Sequence, residues 1–315
     1  MKLSLVVPCY NEQDNVENFY KTVCDTFADG GFDYEIVFVN DGSKDETYKK
    51  LKAIYNSDTE KVRVVNFSRN FGKESAIYAG LKESCGDYVS IIDADLQQNP
   101  KYVLQMMDML DKDEDLDCVA AYQKDRKESK ALVFFKNTFY KLINKMAEVD
   151  FVSGASDFRT FRRSVADSLV EMKEYFRFSK GLFSWVGYNT EYIPYEVEER
   201  AAGTSKWSFR KLMKYAIDGI VAFTTTPLHM ATTVGGITAA LSIIYLIVVI
   251  IQKLAFSINI PGYATIVVLI LLLGGIQLCS LGIIGEYLAK TYIQSKDRPI
   301  YIAKNVLRPE DEDKK

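Results

Sequence analysis

Two aspartates stand at the mouth of an apolar run in YVSIIDADLQQNP, residues 88–100. Asp93 and Asp95 are two apart, and in an extended segment that spacing turns both carboxylates the same way. Carboxylates cannot themselves hold a diphosphate, because like charges repel; a hard divalent cation between them, Mg²⁺ or Mn²⁺, turns the repulsion into a bridge. Taken alone, D-x-D before Pro100 also fits a turn or a helix cap. Glu12, after LSLVVP, and Asp41, after YEIVFVN, favour the metal, because three separate acidic clusters are hard to explain as caps.

The elements that must carry these residues are legible. Residues 3–8, 34–40, 62–67 and 87–92 read as strands, each nearly continuous in apolar side chains, the pattern of a parallel sheet covered on both faces. Segments near 14–28, 45–57 and 73–84 are long enough for crossover helices. Ligands of such sheets bind beyond the carboxyl ends of the strands. Pro8, Tyr10, Asn11 and Glu12 follow the first strand, Asn40 and Asp41 the second, and Asp93, Asp95 and Gln97 the fourth, so they share one rim.

Several classes drop out. Neither GxGxxG nor GxxxxGK[ST] occurs, so no glycine cradle holds a nucleotide. The five cysteines lack CxxC spacing and His229 is the only histidine, which leaves no zinc set. A formal charge of −3 on 315 residues gives no bulk attraction to nucleic acid. The N-terminus has too short an apolar run for a signal peptide.

Composition changes near residue 230. Residues 230–251 and 261–285 carry no charge, and each run exceeds the roughly 20 residues needed to cross a bilayer core. The short connection QKLAFSINI makes them a hairpin. Arg210, Lys211 and Lys214 precede it and Lys290, Lys296 and Arg298 follow, which puts both termini in the cytoplasm under the positive-inside rule. The segment before the first span mixes basic and apolar residues at helical spacing, as an interfacial helix does. The divisions are then an α/β domain over 1–205, an interfacial segment over 206–228, the hairpin over 229–289 and a tail over 290–315, of which RPEDEDKK is expected to fray.

VVPCYNE (6–12), VNDGSKDET (39–47), NFGKESAIYAGL (70–81) and IDADLQQNP (92–100), in this order, resemble the inverting family 2 glycosyltransferases. SGASDFRTFRR (153–163), KGLFSWVGY (180–188) and ERAAGTSKWSFRKL (199–212), followed by the hairpin, narrow the likeness to the polyprenyl-phosphate group, which holds bactoprenol glucosyltransferases and dolichyl-phosphate mannose synthases. The resemblance implies an α/β fold of GT-A type, with a mostly parallel sheet ahead of interfacial helices and a transmembrane hairpin. It implies that Pro8, Tyr10, Asn11, Glu12, Val39 and Asp41 surround the base and ribose of a UDP-sugar. Asp93, Ala94, Asp95 and Gln97 would hold metal and diphosphate, with Asp93, Asp95 and Gln97 the metal set. Arg200 and Lys206 would fold over the diphosphate. An arginine that mannose synthases carry after the next strand is replaced here by VAAYQKDR, where Arg126 takes the role. Members of the group form tetramers, so a homo-oligomer is among the implied partners.

The implied acceptor, a polyprenyl phosphate, has a second pKa of about 6 and is mostly a dianion at neutral pH, so it needs no general base. The requirement moves to neutralising a leaving diphosphate and holding two anions in line. Asp95, Asp157, Arg200 and Lys206 are the expected catalytic group, with Asp157 binding sugar hydroxyls or orienting Arg159; its alternative is a helix N-cap before FRTFRRSVADSLV. Lys180 and Arg159 are candidates for the lipid phosphate, and Arg162 and Arg163 are expected to be solvated or membrane-facing. Glucose is the favoured sugar. UDP-N-acetylglucosamine, GDP-mannose and a non-catalytic membrane scaffold are the alternatives. A processive synthase would carry QxxRW, which is missing.

Overall fold

A computed structural model describes residues 2–123, 155–196, 224–256 and 262–309. Its centre is the run β1 (Lys2–Cys9), β2 (Asp33–Asn40), β3 (Val62–Phe67) and β4 (Tyr88–Ile91), connected by α1 (Val16–Phe27), α2 (Thr47–Ser57) and α3 (Lys73–Glu83). β1 pairs in parallel with β2 and β4, and β2 with β3. The four expected strands and three crossover helices are therefore all present, within two or three residues of their predicted ends, while most of the expected interfacial segment, 206–223, lies outside the described residues.

Period-2 alternation along β1 explains the layering. Leu3, Leu5 and Val7 face a core shared with Phe19 of α1, Leu51 of α2 and Met106 of α4 (Lys101–Lys112). Val6 points the other way, toward Ile77 and Leu81 of α3. That second layer also contains α5 (Arg163–Glu171) and α6 (Ser179–Trp185). With helices on both faces, every central strand is buried, which is why each reads as an apolar run.

The sheet is larger than its parallel centre. β5 (Cys118–Gln123), β6 (Ala155–Arg162), β7 (Thr190–Tyr195) and β8 (Ala303–Leu307) give the order β7-β5-β6-β4-β1-β2-β3-β8. β6 runs antiparallel between β4 and β5. Asp157 is thus inside a strand and α5 begins only at Arg163, so the helix-cap alternative falls away. Arg162 and Arg163 are half-buried rather than solvated: Arg162 donates to the carbonyls of Leu116 and Leu110 at 2.8 and 2.7 Å, and Arg163 to that of Gly86 at 2.8 and 2.6 Å. Both clamp loop ends.

α7 (Thr226–Phe256) and α8 (Tyr263–Ser295) are long and apolar enough to cross a membrane, with mean hydropathy 2.6 and 2.3 over stretches unburied by protein. α8 continues ten residues past the apolar run. There Gln294 accepts from the Tyr175 amide at 2.8 Å and donates to the Lys173 carbonyl at 3.2 Å.

The segment after α8 is not a loose tail as far as residue 309, where the described residues end. β8 adds antiparallel to the β3 edge, which would otherwise present unpaired backbone groups. Tyr301 stacks on Phe67 with ring centres 4.8 Å apart. Arg308, expected to fray, forms a two-pronged ion pair with Glu83 at 2.8 Å, and its carbonyl accepts from Tyr55 at 2.6 Å. Ending the chain after Arg298 should lower the melting temperature of the detergent-solubilised protein by several degrees; an unchanged melt would contradict this account of β8.

Candidate active site

The loops beyond β1 and β2 are zipped together by polar contacts. Asn11, left-handed at φ 54°, donates its amide to Ser43 Oγ at 2.9 Å and accepts from the Lys44 amide at 2.9 Å. The Glu12 amide donates to Thr47 Oγ1 at 2.9 Å, while its carboxylate accepts from Asn15 Nδ2 at 2.6 Å. Asn11 and Glu12 therefore shape the rim. Pro8 and Tyr10 border it half-buried, whereas Val39 is wholly buried against Ala76 and Ala79 of α3, so its side chain belongs to the core.

Asp41 is buried and faces the loop before α3. Its carboxylate accepts from the Phe71 amide at 2.6 Å and from the Gly72 amide at 3.0 Å. The loop can come this close because residue 42 is glycine at φ 61°; a Cβ there would lie 2.2 Å from the Arg69 carbonyl carbon. Burial outweighs these hydrogen bonds and pushes the Asp41 carboxyl up to about 6.

Gly72, at φ 102°, turns the chain into α3 so that Lys73 points along the rim. The Lys73 ammonium is 2.7 Å from Asp93 Oδ1 and 3.2 Å from Asp157 Oδ2, joining strand ends 64 residues apart in sequence. Partial desolvation disfavours its charge, but the two carboxylates outweigh that and raise its pKa above the ordinary lysine value. For Asp157, burial likewise pushes the carboxyl up, yet Lys73, Lys180 and Arg159 together hold it below the usual carboxylate range. Asp157 is ionised at neutral pH and a poor proton acceptor. Its Oδ1 is buried with no hydrogen-bond partner among the described residues.

The acidic pair departs from its expected geometry. β4 stops at Ile91, Ala94 and Asp95 lie in a turn, and Leu96 is left-handed at φ 59°, so no extended segment aligns the two carboxylates. The turn itself sets their positions. The Gln97 amide donates to Asp95 Oδ1 at 3.2 Å, and Ala94 is buried beneath. Gln98 accepts from the Asp93 amide at 3.0 Å and lies 3.4 Å from both Asp93 Oδ2 and Ser156 Oγ.

Lys73 and Gln98 are site residues that sequence reasoning missed. Both sit inside quoted motifs, and position 73, opening a helix directly beyond β3, was the available signal. Glu74 is a third: it accepts from the Ser179 amide at 2.9 Å and from the Ser179 hydroxyl, tying α3 to the start of α6. Burial and the nearby Asp157 charge push Glu74 up to about 7 against those bonds. Ser179 precedes Lys180, which is half-buried and electrostatically coupled to Asp157. Arg159, by contrast, is 4% exposed, with its guanidinium 3.9 Å from the Phe183 ring centre and donating to the Ser156 carbonyl at 2.9 Å. That burial makes it a support for α6. Arg126, Arg200 and Lys206 lie outside the described residues.

Residues 4–170 match the model of the family described as Glycosyl transferase family 2, and residues 226–291 match the GtrB C-terminal hairpin. The chain belongs to glycosyl transferase family 2. It is a glycosyltransferase with a GT-A-like α/β fold, as its motifs imply. The bactoprenol glucosyl transferase of Shigella phage SfV is 40% identical over 97% of this chain and 99% of its own. The prophage bactoprenol glucosyl transferase homolog of Escherichia coli strain K12 is 39% identical over 97% and 99%. Among solved structures, glucosyl-3-phosphoglycerate synthase from Mycobacterium tuberculosis, with Mn²⁺, uridine diphosphate and phosphoglyceric acid, covers 70% of this chain and 76% of its own at TM-score 0.49 and 20% identity.

The Asp41 carboxyl binds a proton in the folded protein over a range where the unfolded chain, with an ordinary pKa of about 3.9, has released it. Stability should therefore fall as pH rises from about 4 to about 6. Asp41→Asn lacks the titrating group, so its melting temperature relative to wild type should climb across that interval. A difference independent of pH would contradict the assignment.

Proposed function

We propose that this family 2 glycosyltransferase moves one hexose, glucose, from a UDP-sugar to undecaprenyl phosphate with inversion, at the cytoplasmic face of the membrane. The observation that carries the reading is the joining of a rim of paired acidic and basic groups to two membrane-length helices in one chain. Relatives named bactoprenol glucosyl transferases, aligned over nearly their whole length, support the lipid acceptor and the sugar. The return of β8 to the sheet that begins with β1 supports a hairpin whose two ends open on the same side as the catalytic domain.

The rim suits a divalent cation. Among the described residues no cluster of three or more His, Cys, Asp or Glu could enclose a metal. A cation at Asp93, Asp95 and Gln97 would thus complete its shell with diphosphate oxygens and water, the way Mg²⁺ binds beside substrate phosphates. When bound it supplies neutralisation of the leaving diphosphate. Tyr10, Glu12 and Asp41 border the nucleoside end, and Arg126, Arg200 and Lys206 are the proposed cover of the diphosphate.

On the acceptor side, a phosphate oxygen attacks the anomeric carbon as the bond from that carbon to the UDP oxygen breaks. Lys180 orients the attacking phosphate. Asp157, ionised and with Oδ1 unpartnered among the described residues, receives a sugar hydroxyl. No proton has to leave the acceptor during the step, because the phosphate is already the dianion.

Purified protein given radiolabelled UDP-glucose, Mg²⁺ or Mn²⁺ and undecaprenyl phosphate should yield a labelled lipid. Chelating the metal or changing Asp95→Ala should abolish transfer while leaving membrane insertion intact. Failure to label lipid with any common nucleotide sugar would overturn the proposal. The rate should fall below a pH of about 6, where the acceptor phosphate gains a proton, and Asp157→Asn should keep that limb while turning over more slowly. Loss of the limb in the variant would make Asp157 a general base instead.

A further inference from the structure

Lys73 occupies a position that the proposed reaction leaves unexplained. Its ammonium lies 2.7 Å from Asp93 Oδ1 and 3.0 Å from Asp93 Oδ2, so it straddles one of the two carboxylates assigned to the metal. A divalent cation coordinated by Asp93 would stand within a few ångströms of that ammonium, and the two positive charges would repel at a separation where little solvent intervenes. The ion pair and the metal cannot both be held tightly.

The surroundings give the lysine somewhere to go. Its ammonium already touches Asp157 Oδ2 at 3.2 Å, the oxygen left to it when Oδ1 receives the sugar hydroxyl. Moving from Asp93 to Asp157 needs only rotation of the lysine stem, which is 43% exposed. The helix start need not move, because the neighbouring Glu74 is fixed to Ser179.

We propose that Lys73 is an internal counter-cation that holds Asp93 in the absence of metal, is displaced by the incoming divalent cation, and passes to Asp157. Lys73 is a positioning residue: it acts through the two carboxylates. The transfer orders the site. Before the donor arrives, Lys73 neutralises Asp93 and weakens its hold on free metal. Once metal and diphosphate occupy Asp93, the displaced positive charge lies on the acceptor side, next to Lys180, where an anionic phosphate must dock. This rests on the reading of Asp93 and Asp95 as metal ligands.

Mn²⁺ binding to the detergent-purified full-length chain, followed by electron paramagnetic resonance at low ionic strength without nucleotide, tests it. Lys73→Gln removes the competing charge and should bind Mn²⁺ about tenfold tighter than wild type or better, a gap that narrows as salt screens the charges. Lys73→Arg should bind more weakly than wild type, because a guanidinium grips a carboxylate with two parallel hydrogen bonds. Affinity in Lys73→Gln equal to or below wild type overturns the proposal, as does tighter binding in Lys73→Arg, so either variant alone decides if the other fails to fold. Equal binding in all three proteins sinks the role of Lys73 and leaves the metal site standing. Mn²⁺ binding to none of them, even with uridine diphosphate added, removes the metal site and this inference together.

Discussion

Like charge concentrated on one rim is the constraint on which this structure turns. Parallel strands end together, so residues that follow them meet, as Asp41, Asp93 and Asp95 do, and Asp157 joins them from the start of antiparallel β6. Four carboxylates in one place repel one another and are costly to desolvate. The fold answers each differently. Asp41 is satisfied by backbone amides of the loop before α3, Asp95 by the turn that contains it, and Asp93 and Asp157 by one shared lysine. Because these compensations differ, the carboxylates differ in function. Burial raises the Asp41 pKa, while surrounding cations keep Asp157 ionised.

α3 is the element that enforces this division. Its first residues carry Lys73 to the carboxylates and Glu74 to Ser179, and its small apolar face lies against Val37 and Val39 of β2. A single helix start thus links the acidic rim to α6, and through α6 to Lys180. Arg159 completes the support from below, under the Phe183 ring.

The central fold was legible because its strands are buried on both faces and therefore read as unbroken apolar runs. The hairpin was legible for a similar reason, since lipid imposes an uncharged stretch of fixed length. Other parts were hidden by physics that acts across long sequence distances. β6 carries Asp157, Arg159 and Arg162 among Phe158 and Phe161, and a strand with buried charges does not look like one. β8 is a short edge strand whose pairing partner lies some 240 residues earlier, and nothing local distinguishes it from a polar tail. Lys73 was one lysine among many until the sheet brought positions 73, 93 and 157 together. The spacing argument for the acidic pair does not hold in detail: Asp93 and Asp95 are set by a turn with a left-handed Leu96, and not by the pleat of a strand.

Because β8 re-enters the sheet, the far end of α8 is fastened to the soluble body. Tyr287 of α8 donates to the Thr224 carbonyl at 2.6 Å just ahead of α7, and Gln294 grips the loop that leads to α6. A body joined to such a helix by a bare linker can swivel; one whose sheet and loop both hold the helix end has lost much of that freedom. The height of the rim relative to the end of α8 is then set by the fold and not by a linker.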